Sequence, residues 1–320
     1  MTEIFRPGDR VQLTGPKNKM NTIVLTPGGR LGTHKGEISH DDIIGKPSGS
    51  VIENHQGDKY LALKPLLTDY VLSMPRGAQI VYPKDAAQII VEGDIFPGAT
   101  VIEAGVGSGA LSSYLLRAIG AAGQLHSFEA REEFALIAKA NVENFLGAAP
   151  ENWSVTVGLM QEVLTETVPV GSADRAVLDM LAPWECIPAV AKALKPGGML
   201  IVYVATVTQL SRTVEEIKAH GGFTAPNAWE SLVRPWHLDG LAVRPEHRMI
   251  GHTGFLLNCR RLAPDTELPV FKARRGSKVD GSEQDYDAWL PGAIGQRPIS
   301  EKKLRKTVRK VTDQAQKRKN

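Results

Sequence analysis

The stretch Val101-Ile102-Glu103-Ala104-Gly105-Val106-Gly107-Ser108-Gly109-Ala110, running straight into LSSYLLRAIG, decides how the rest of this chain is read. A buried-type strand ends on three alternating glycines, and an amphipathic helix begins at once. Glycine at such a turn lets backbone approach a ligand where no Cβ obstructs it. The geometry cradles a nucleoside cofactor. The same letters satisfy the dinucleotide pattern G-x-G-x-x-G/A with Ala110 last, and an acid at the end of the next strand holds ribose hydroxyls in either kind of site. Glu129, in HSFEA, is that acid. The turn and Glu129 leave NAD and S-adenosylmethionine both open. Glu103 favours the second, because a carboxylate repels a pyrophosphate and attracts the amino group of a methionine moiety.

Working outward, apolar runs of four to six residues alternate with amphipathic stretches from Ala99 to Ala263, the pattern of a doubly wound sheet. TVIEAG, QLHSFEA, WSVTVGL, RAVLDML and MLIVYVA read as five parallel-type strands. Two late strands without full helical crossovers, HLDGLAV and GFLLNCRR, predict an antiparallel edge. Before them, residues 1 to about 65 alternate short β-rich runs with turn signals, as in DRVQL, TIVL, TPGGR and KYLAL, and predict a small β-barrel or sandwich. The expected division is a β-rich domain over 1–75, a doubly wound α/β domain over 76–264 that carries the glycine turn, and a basic extension over 265–320.

The chain of 320 residues, 42% hydrophobic and 23% charged, has ample core for this plan. Fibrous and wholly disordered classes are excluded. No run approaches a membrane span, and the start MTEIFRPGDRVQL lacks the apolar segment of a secretory signal, so a cytoplasmic protein without a membrane partner is expected. Cys186 and Cys259 have no metal-type spacing and read as buried thiols, so no metal is expected. The net charge of +3 is uneven, since residues 265–320 hold 14 Lys and Arg against 8 Asp and Glu. Within EKKLRKTVRKVTDQAQKRKN, Leu304, Val308 and Val311 recur at spacings that allow a short helix with one thin apolar stripe. A solvated extension and a polyanion-binding arm are the two readings of that tail.

A second constellation, Val177-Leu178-Asp179-Met180-Leu181-Ala182-Pro183-Trp184-Glu185, puts an acid at a strand's carboxyl end before a Pro-Trp turn. Ligands in open α/β sheets bind outside those ends, so Asp179 is expected to face the reaction site. At this point the chain resembles the tRNA (adenine-58-N1)-methyltransferases of the TrmI family. The segments that carry the resemblance are MPRGAQIVYPKDAAQII, VIEAGVGSGALS, SFEA, VLDMLAPWE, VYVATVTQL and GHTGFLL. The D-x-x-x-P-W and Y-P-K-D-A elements are specific, whereas the glycine turn is shared by many enzymes.

The resemblance implies a Rossmann-like, seven-stranded class I methyltransferase sheet with a small N-terminal β-domain, a homotetramer, a tRNA substrate and S-adenosylmethionine as cofactor. It implies that Gly105, Gly107, Ser108, Gly109, Ala110 and Leu111 lie along the cofactor beside Glu103, with Glu129 on its ribose and Phe134 walling its adenine. Asp179 is the implied catalytic-site acid, also near the cofactor, and Tyr203 and Tyr82 are the implied contacts to the target base. One position departs from the family pattern. Many members carry a carboxylate after the third strand to meet the cofactor adenine, and here Leu159 stands there, with Gln161 or Glu162 able to replace it only if the loop shifts. The rival readings are a methyltransferase of protein carboxylates or small molecules, a non-catalytic RNA-binding subunit, and a nicotinamide dehydrogenase.

Overall fold

A computed structural model of the protein describes residues 4–16, 19–34, 36–266 and 301–319. The N-terminal part holds β1 (Arg10–Thr14), β2 (Met20–Val24), β3 (Arg30–Thr33), β4 (Gly36–Ser39), β5 (Ser50–Glu53) and β6 (Lys59–Leu63). Four of these form an antiparallel sheet in the order β2-β1-β6-β5, and β3 and β4 pair as a separate ribbon. Phe5, Val11, Leu13, Leu25, Ile38 and Ile52 close over a core of their own. Helix α1 (Leu67–Ser73) fastens this part to the rest through Tyr70, which is wholly buried and donates its hydroxyl to the Asn141 carbonyl at 2.7 Å.

The chain then runs α2 (Pro83–Glu92), β7 (Thr100–Ala104), α3 (Ala110–Ile119), β8 (Gln124–Glu129), α4 (Glu132–Leu146), β9 (Trp153–Val157), α5 (Met160–Thr167), β10 (Ala173–Asp179), α6 (Ile187–Ala193), β11 (Leu194–Val204) and α7 (Val207–His220). After these come β12 (Asn227–Trp229), β13 (Trp236–Asp239), β14 (Ala242–Pro245), β15 (Phe255–Arg260) and, beyond residues 267–300, helix α8 (Glu301–Lys319). The seven-stranded sheet has the order β12-β15-β11-β10-β7-β8-β9. Its five central and right-hand strands are parallel, and β15 runs antiparallel to both of its neighbours, β11 and β12.

Alternation along the strands sends side chains to two cores. Val101, Val177 and Ile201 pack with Ile89, Leu115 and Ile119 of α2 and α3. Ile102, Leu178 and Val202 pack with Leu164, Val190 and Ile217 of α5, α6 and α7. Each of these fully buried aliphatic side chains contributes about 1.5–3 kcal/mol.

One expected edge strand is placed differently. HLDGLAV does not join the sheet, because Gly240-Leu241 forms the two-residue turn that folds the segment back on itself as the β13–β14 hairpin, with Gly240 at φ 51° and Asp239 paired to Ala242. The short β12 takes the edge beside β15. GFLLNCRR is β15, as the sequence predicts. Cys186 and Cys259 are both buried free thiols, and burial pushes each up to about 12. No helix among the described residues is long and apolar enough to cross a membrane, and none of their His, Cys, Asp and Glu side chains cluster as a metal site.

Candidate functional site

The strand order reverses at β7, since β8 and β9 extend to one side and β10 and β11 to the other. Loops leaving the carboxyl ends of β7 and β10 therefore diverge and open a crevice. It holds a cavity of about 670 Å³. Its walls come from Gly105 and Gly107 of the first turn, Phe128 to Arg131 after β8, Gly158 to Gln161 after β9, Asp179 to Ala182 after β10, Tyr203 to Ala205 after β11, and Thr253 before β15.

Gly105 shows why the turn must be bare. It sits at φ 85°, and a Cβ there would run into the backbone carbonyl of Asp179. The cofactor turn and the Asp179 loop therefore touch through backbone alone. Beside them the Glu129 carboxylate accepts from the Gly107 N–H at 3.0 Å and the Arg131 N–H at 3.2 Å, which fixes it at the end of β8.

The expected site residues divide by depth along the strands, since Glu103 pairs with Val177 and Ser127, two residues below Asp179 and Glu129 on the same face. Gly105, Gly107, Glu129, Leu159, Asp179 and Tyr203 line the cavity together. Glu103 does not. It shares the face of Val101, so its carboxylate lies wholly buried under α3, accepting from Ser112 Oγ at 2.8 Å and Ser127 Oγ at 2.6 Å. Burial raises Glu103 to about 7, the two serine bonds opposing and the nearby Glu129 adding to the rise. Its position makes it a clamp between β7, β8 and α3, not a wall of the cavity.

Ser108, Gly109, Ala110 and Leu111 also fall outside the lining: the helix starts at once, so their side chains turn into the core. The Ser108 Oγ is buried with no hydrogen-bond partner among the described residues. Phe134 is fully buried on α4, with the Arg131 guanidinium 3.9 Å over its ring, and does not wall the cavity. Tyr82, the cap residue of α2, is half-buried and off the lining, within electrostatic reach of the Tyr203 phenol.

Asp179 and Tyr203 are register partners at the ends of β10 and β11. Burial, reinforced by the charges of Glu103 and Glu129, pushes Asp179 from its ordinary 3.8 up to about 8. Burial also raises Tyr203, whose hydroxyl is enclosed beside Gly254.

The loops carrying these groups are tied down by residues inside the quoted motifs whose partners the motifs do not give. Thr206 and Gln209 form a reciprocal capping box at the start of α7, and Gln209 Nε2 donates to the Leu181 carbonyl at 2.9 Å, joining the V-Y-V-A-T-V-T-Q-L segment to the Asp179 loop. Trp184 packs under Arg212 of the same helix, the guanidinium 4.3 Å from its ring. Lys84 and Asp85 form a buried ion pair at 2.8 Å, and both bond Thr253 at 2.6 Å. Gln161, not Glu162, faces the cavity after β9, with Leu159 beside it. The T-x-x-Q spacing of the capping box was the available signal for Gln209; Thr253 had none.

Three glycines at positive φ and a backbone-fixed carboxylate on Glu129 fit a nucleoside cofactor, and the clustered acids fit one that carries positive charge. Comparison with known proteins resolves the class. Residues 60–239 match the family described as tRNA methyltransferase complex GCD14 subunit, and residues 4–52 match the TrmI-like N-terminal family. This chain belongs to the TrmI family of tRNA methyltransferases. It is 34% identical over 77% of its length to the tRNA (adenine(58)-N(1))-methyltransferase TrmI of Thermus thermophilus, covering 94% of that protein. It is 31% identical over 72% of its length to the tRNA (adenine(57)-N(1)/adenine(58)-N(1))-methyltransferase TrmI of Methanocaldococcus jannaschii, covering 88% of it.

Among solved structures, the TrmI from Aquifex aeolicus superposes with a TM-score of 0.71 at 29% identity, covering 82% of this chain and 100% of that one. A structure described as a SAM-dependent O-methyltransferase from Thermotoga maritima gives 0.76 at 32% identity, covering 82% and 96%. The sheet is thus the Rossmann-like class I methyltransferase sheet that the sequence predicts, with the TrmI-type β-domain before it.

Proposed function

We propose that this protein transfers a methyl group from S-adenosylmethionine to N1 of adenosine 58 in tRNA, with the target base turned out of its stack. The observation that carries the reading is the pairing of Asp179 with Tyr203 on one wall of a cavity whose other wall is the glycine turn and Glu129. The named relatives support the acceptor.

Gly105, Gly107 and Glu129 hold the cofactor, Glu129 through its ribose, while Leu159 and Gln161 border the adenine. Glu103 and the residues from Ser108 to Leu111 act from beneath, by holding the turn in shape. When bound, S-adenosylmethionine supplies an electrophilic methyl group. Adenine N1 carries a free lone pair, so no strong base is required of the protein. Asp179 accepts a hydrogen bond from the exocyclic N6 amine and stabilises the positive charge that develops on the purine. Tyr203 packs against the extruded base, and stacking of this kind contributes about 1–3 kcal/mol per base. N1 lies on the pairing edge of adenine, which is why the base must be flipped out first.

The raised Asp179 gives the cofactor site a pH dependence. A cationic ligand beside Asp179 favours its ionised form, so binding releases a proton wherever the free protein holds one. Affinity for S-adenosylmethionine is expected to rise with pH up to about 8, by an amount smaller than the Asp179 effect on rate, and to level off above it. Titration calorimetry from pH 6 to 9 measures the slope. A slope equally steep in Asp179→Asn assigns the proton to another group.

The oligomer is assigned to the β13–β14 hairpin. It leaves the sheet carrying Trp236, Leu238, Leu241 and Val243, all more than half exposed, a contiguous apolar patch of the kind that marks an interface. A second copy of this chain covers it, building the homotetramer. Light scattering of Leu238→Asp/Val243→Asp is expected to give smaller particles than the wild type, and an unchanged mass would remove the hairpin from the interface. A tRNA substrate also places the protein in the cytoplasm.

The test of the whole reading is mass spectrometry of nucleosides from unmodified tRNA incubated with protein and S-adenosylmethionine. It is expected to show 1-methyladenosine, mapped to position 58. Appearance of 5-methylcytidine or N6-methyladenosine, or an unmodified tRNA, would sink it. The last outcome would move attention to oxygen acceptors, the chemistry named for the Thermotoga maritima neighbour.

A further inference from the structure

Helix α8 is not a loose tail where it is described. Its thin apolar stripe is spent on docking: it lies along α4, with Thr307 and Val311 buried and Leu304 and Val308 half-buried. Leu304 and the Phe134 ring close on Gly77 so tightly that a methyl group there would come within 3.1 Å and 3.2 Å of them. Lys302, Lys306, Arg309 and Lys310 are exposed, one helical turn after another, away from that stripe. The docking point adjoins the site on two sides. Residues 78–80, directly after Gly77, line the cavity, and so does Arg131, whose guanidinium covers Phe134.

Charge says what such a ridge meets. Residues 301–320 hold nine Lys and Arg against two Asp and Glu, whereas residues 1–264 carry three more acids than bases. The concentrated positive charge of the chain is therefore placed at the lip of the cavity, on a helix whose apolar face is already occupied. We propose that α8 is a docked phosphate-binding ridge that holds the tRNA backbone beside the cavity. The proposal rests on the reading of the protein as a tRNA methyltransferase and adds to it where the polyanion is held.

The experiment compares full-length wild type with Lys306→Gln/Arg309→Gln/Lys310→Gln, which keeps good helix formers at exposed positions. Binding of unmodified tRNA is measured from 50 to 200 mM salt. Each phosphate contact contributes about 0.7–0.9 to the slope of log K against log salt, so the wild type is expected to lose about 20- to 40-fold more affinity across that range than the triple variant. Affinity for S-adenosylmethionine and the rate at saturating tRNA are expected to stay unchanged. A second variant, Val311→Ser/Leu304→Ser, keeps every charge and releases the helix; a placed ridge predicts weaker tRNA binding here too, and full retention would reduce α8 to an unplaced polycation. Parallel salt lines for wild type and triple variant overturn the ridge. If the wild type itself forms no 1-methyladenosine, the parent reading fails instead, which separates the two results.

Discussion

Asp179→Asn lowers the rate of methyl transfer at saturating tRNA and S-adenosylmethionine by about 10²–10³-fold, the usual loss when one preorganised transition-state interaction is removed. The size follows from where the carboxylate sits. It ends β10 beside Tyr203, touches Gly105 through backbone, and accepts no side-chain hydrogen bond from the described residues, so its acceptor capacity is turned to the cavity. Asn keeps the shape and loses the charge. It therefore removes the interaction that strengthens as the purine becomes cationic, while weakening cofactor affinity much less.

The same variant is expected to be no less stable than the wild type without ligand. A carboxyl raised from 3.8 to about 8 adds stability that is fully present below the lower value and is lost as pH rises through the higher. At pH 8 the wild type has given up part of that stability and the Asn variant has nothing to give up. Pre-steady-state rates, calorimetric affinity and thermal melting measured on one preparation test all three statements. A proportionate fall in rate and cofactor affinity would make Asp179 a cofactor ligand and not a catalytic residue.

Asp85→Ala is expected to be the most destabilising single change near the site, by about 3–5 kcal/mol, because it strands a buried cation. Lys84 is only a tenth exposed and Asp85 not at all. Removing the carboxylate leaves the Lys84 ammonium with the Ser231 carbonyl and the Thr253 hydroxyl, and takes the acceptor from the hydroxyls of Ser231 and Thr253 as well. For a chain of this size the melting temperature is expected to fall by about 6–20 °C. The control is Lys84→Met/Asp85→Leu, which deletes both charges and recovers part of the loss, since apolar replacement of a whole buried pair costs far less than breaking it. A double variant as unstable as Asp85→Ala would mean that hydrogen bonds to Thr253 and Ser231, not the stranded charge, carry the effect.

The glycine turn, the acid ending β8 and the acid before Pro-Trp were legible because each is tied to a strand end by short-range sequence, and strand ends decide the crevice in this class of sheet. Depth was not legible for Glu103: it shares a face with Glu129, Asp179 and Tyr203 but lies one pleat further in, opposite Val177 and Ser127, where α3 covers it. Ser108 to Leu111 and Phe134 lie beneath the cavity wall, a placement that a motif does not give, because it marks a turn and not which of its side chains face the crevice. HLDGLAV misled by its apolar content. Gly240 inside it was the stronger signal, since a two-residue turn opening on glycine pairs the segment with itself before it can reach the sheet.

Contacts between segments far apart in sequence were not legible at all. The links from Lys84 and Asp85 to Ser231 and Thr253, and from Gln209 to Leu181, depend on loops whose meeting only the folded sheet determines. The docking of α8 on α4 belongs with these, although the spacing of Leu304, Val308 and Val311 did mark the helix and its stripe. The segment containing Tyr286, Trp289 and Leu290 lies outside the described residues.

Because Gly105 has no side chain between it and the Asp179 carbonyl, the wall that meets the methyl donor and the wall that meets the acceptor base are two faces of one contact. Neither face can yield without the other. Occupancy of one pocket then stiffens the other, and the two ligands are thermodynamically coupled: whatever factor S-adenosylmethionine contributes to tRNA affinity, tRNA must return to S-adenosylmethionine.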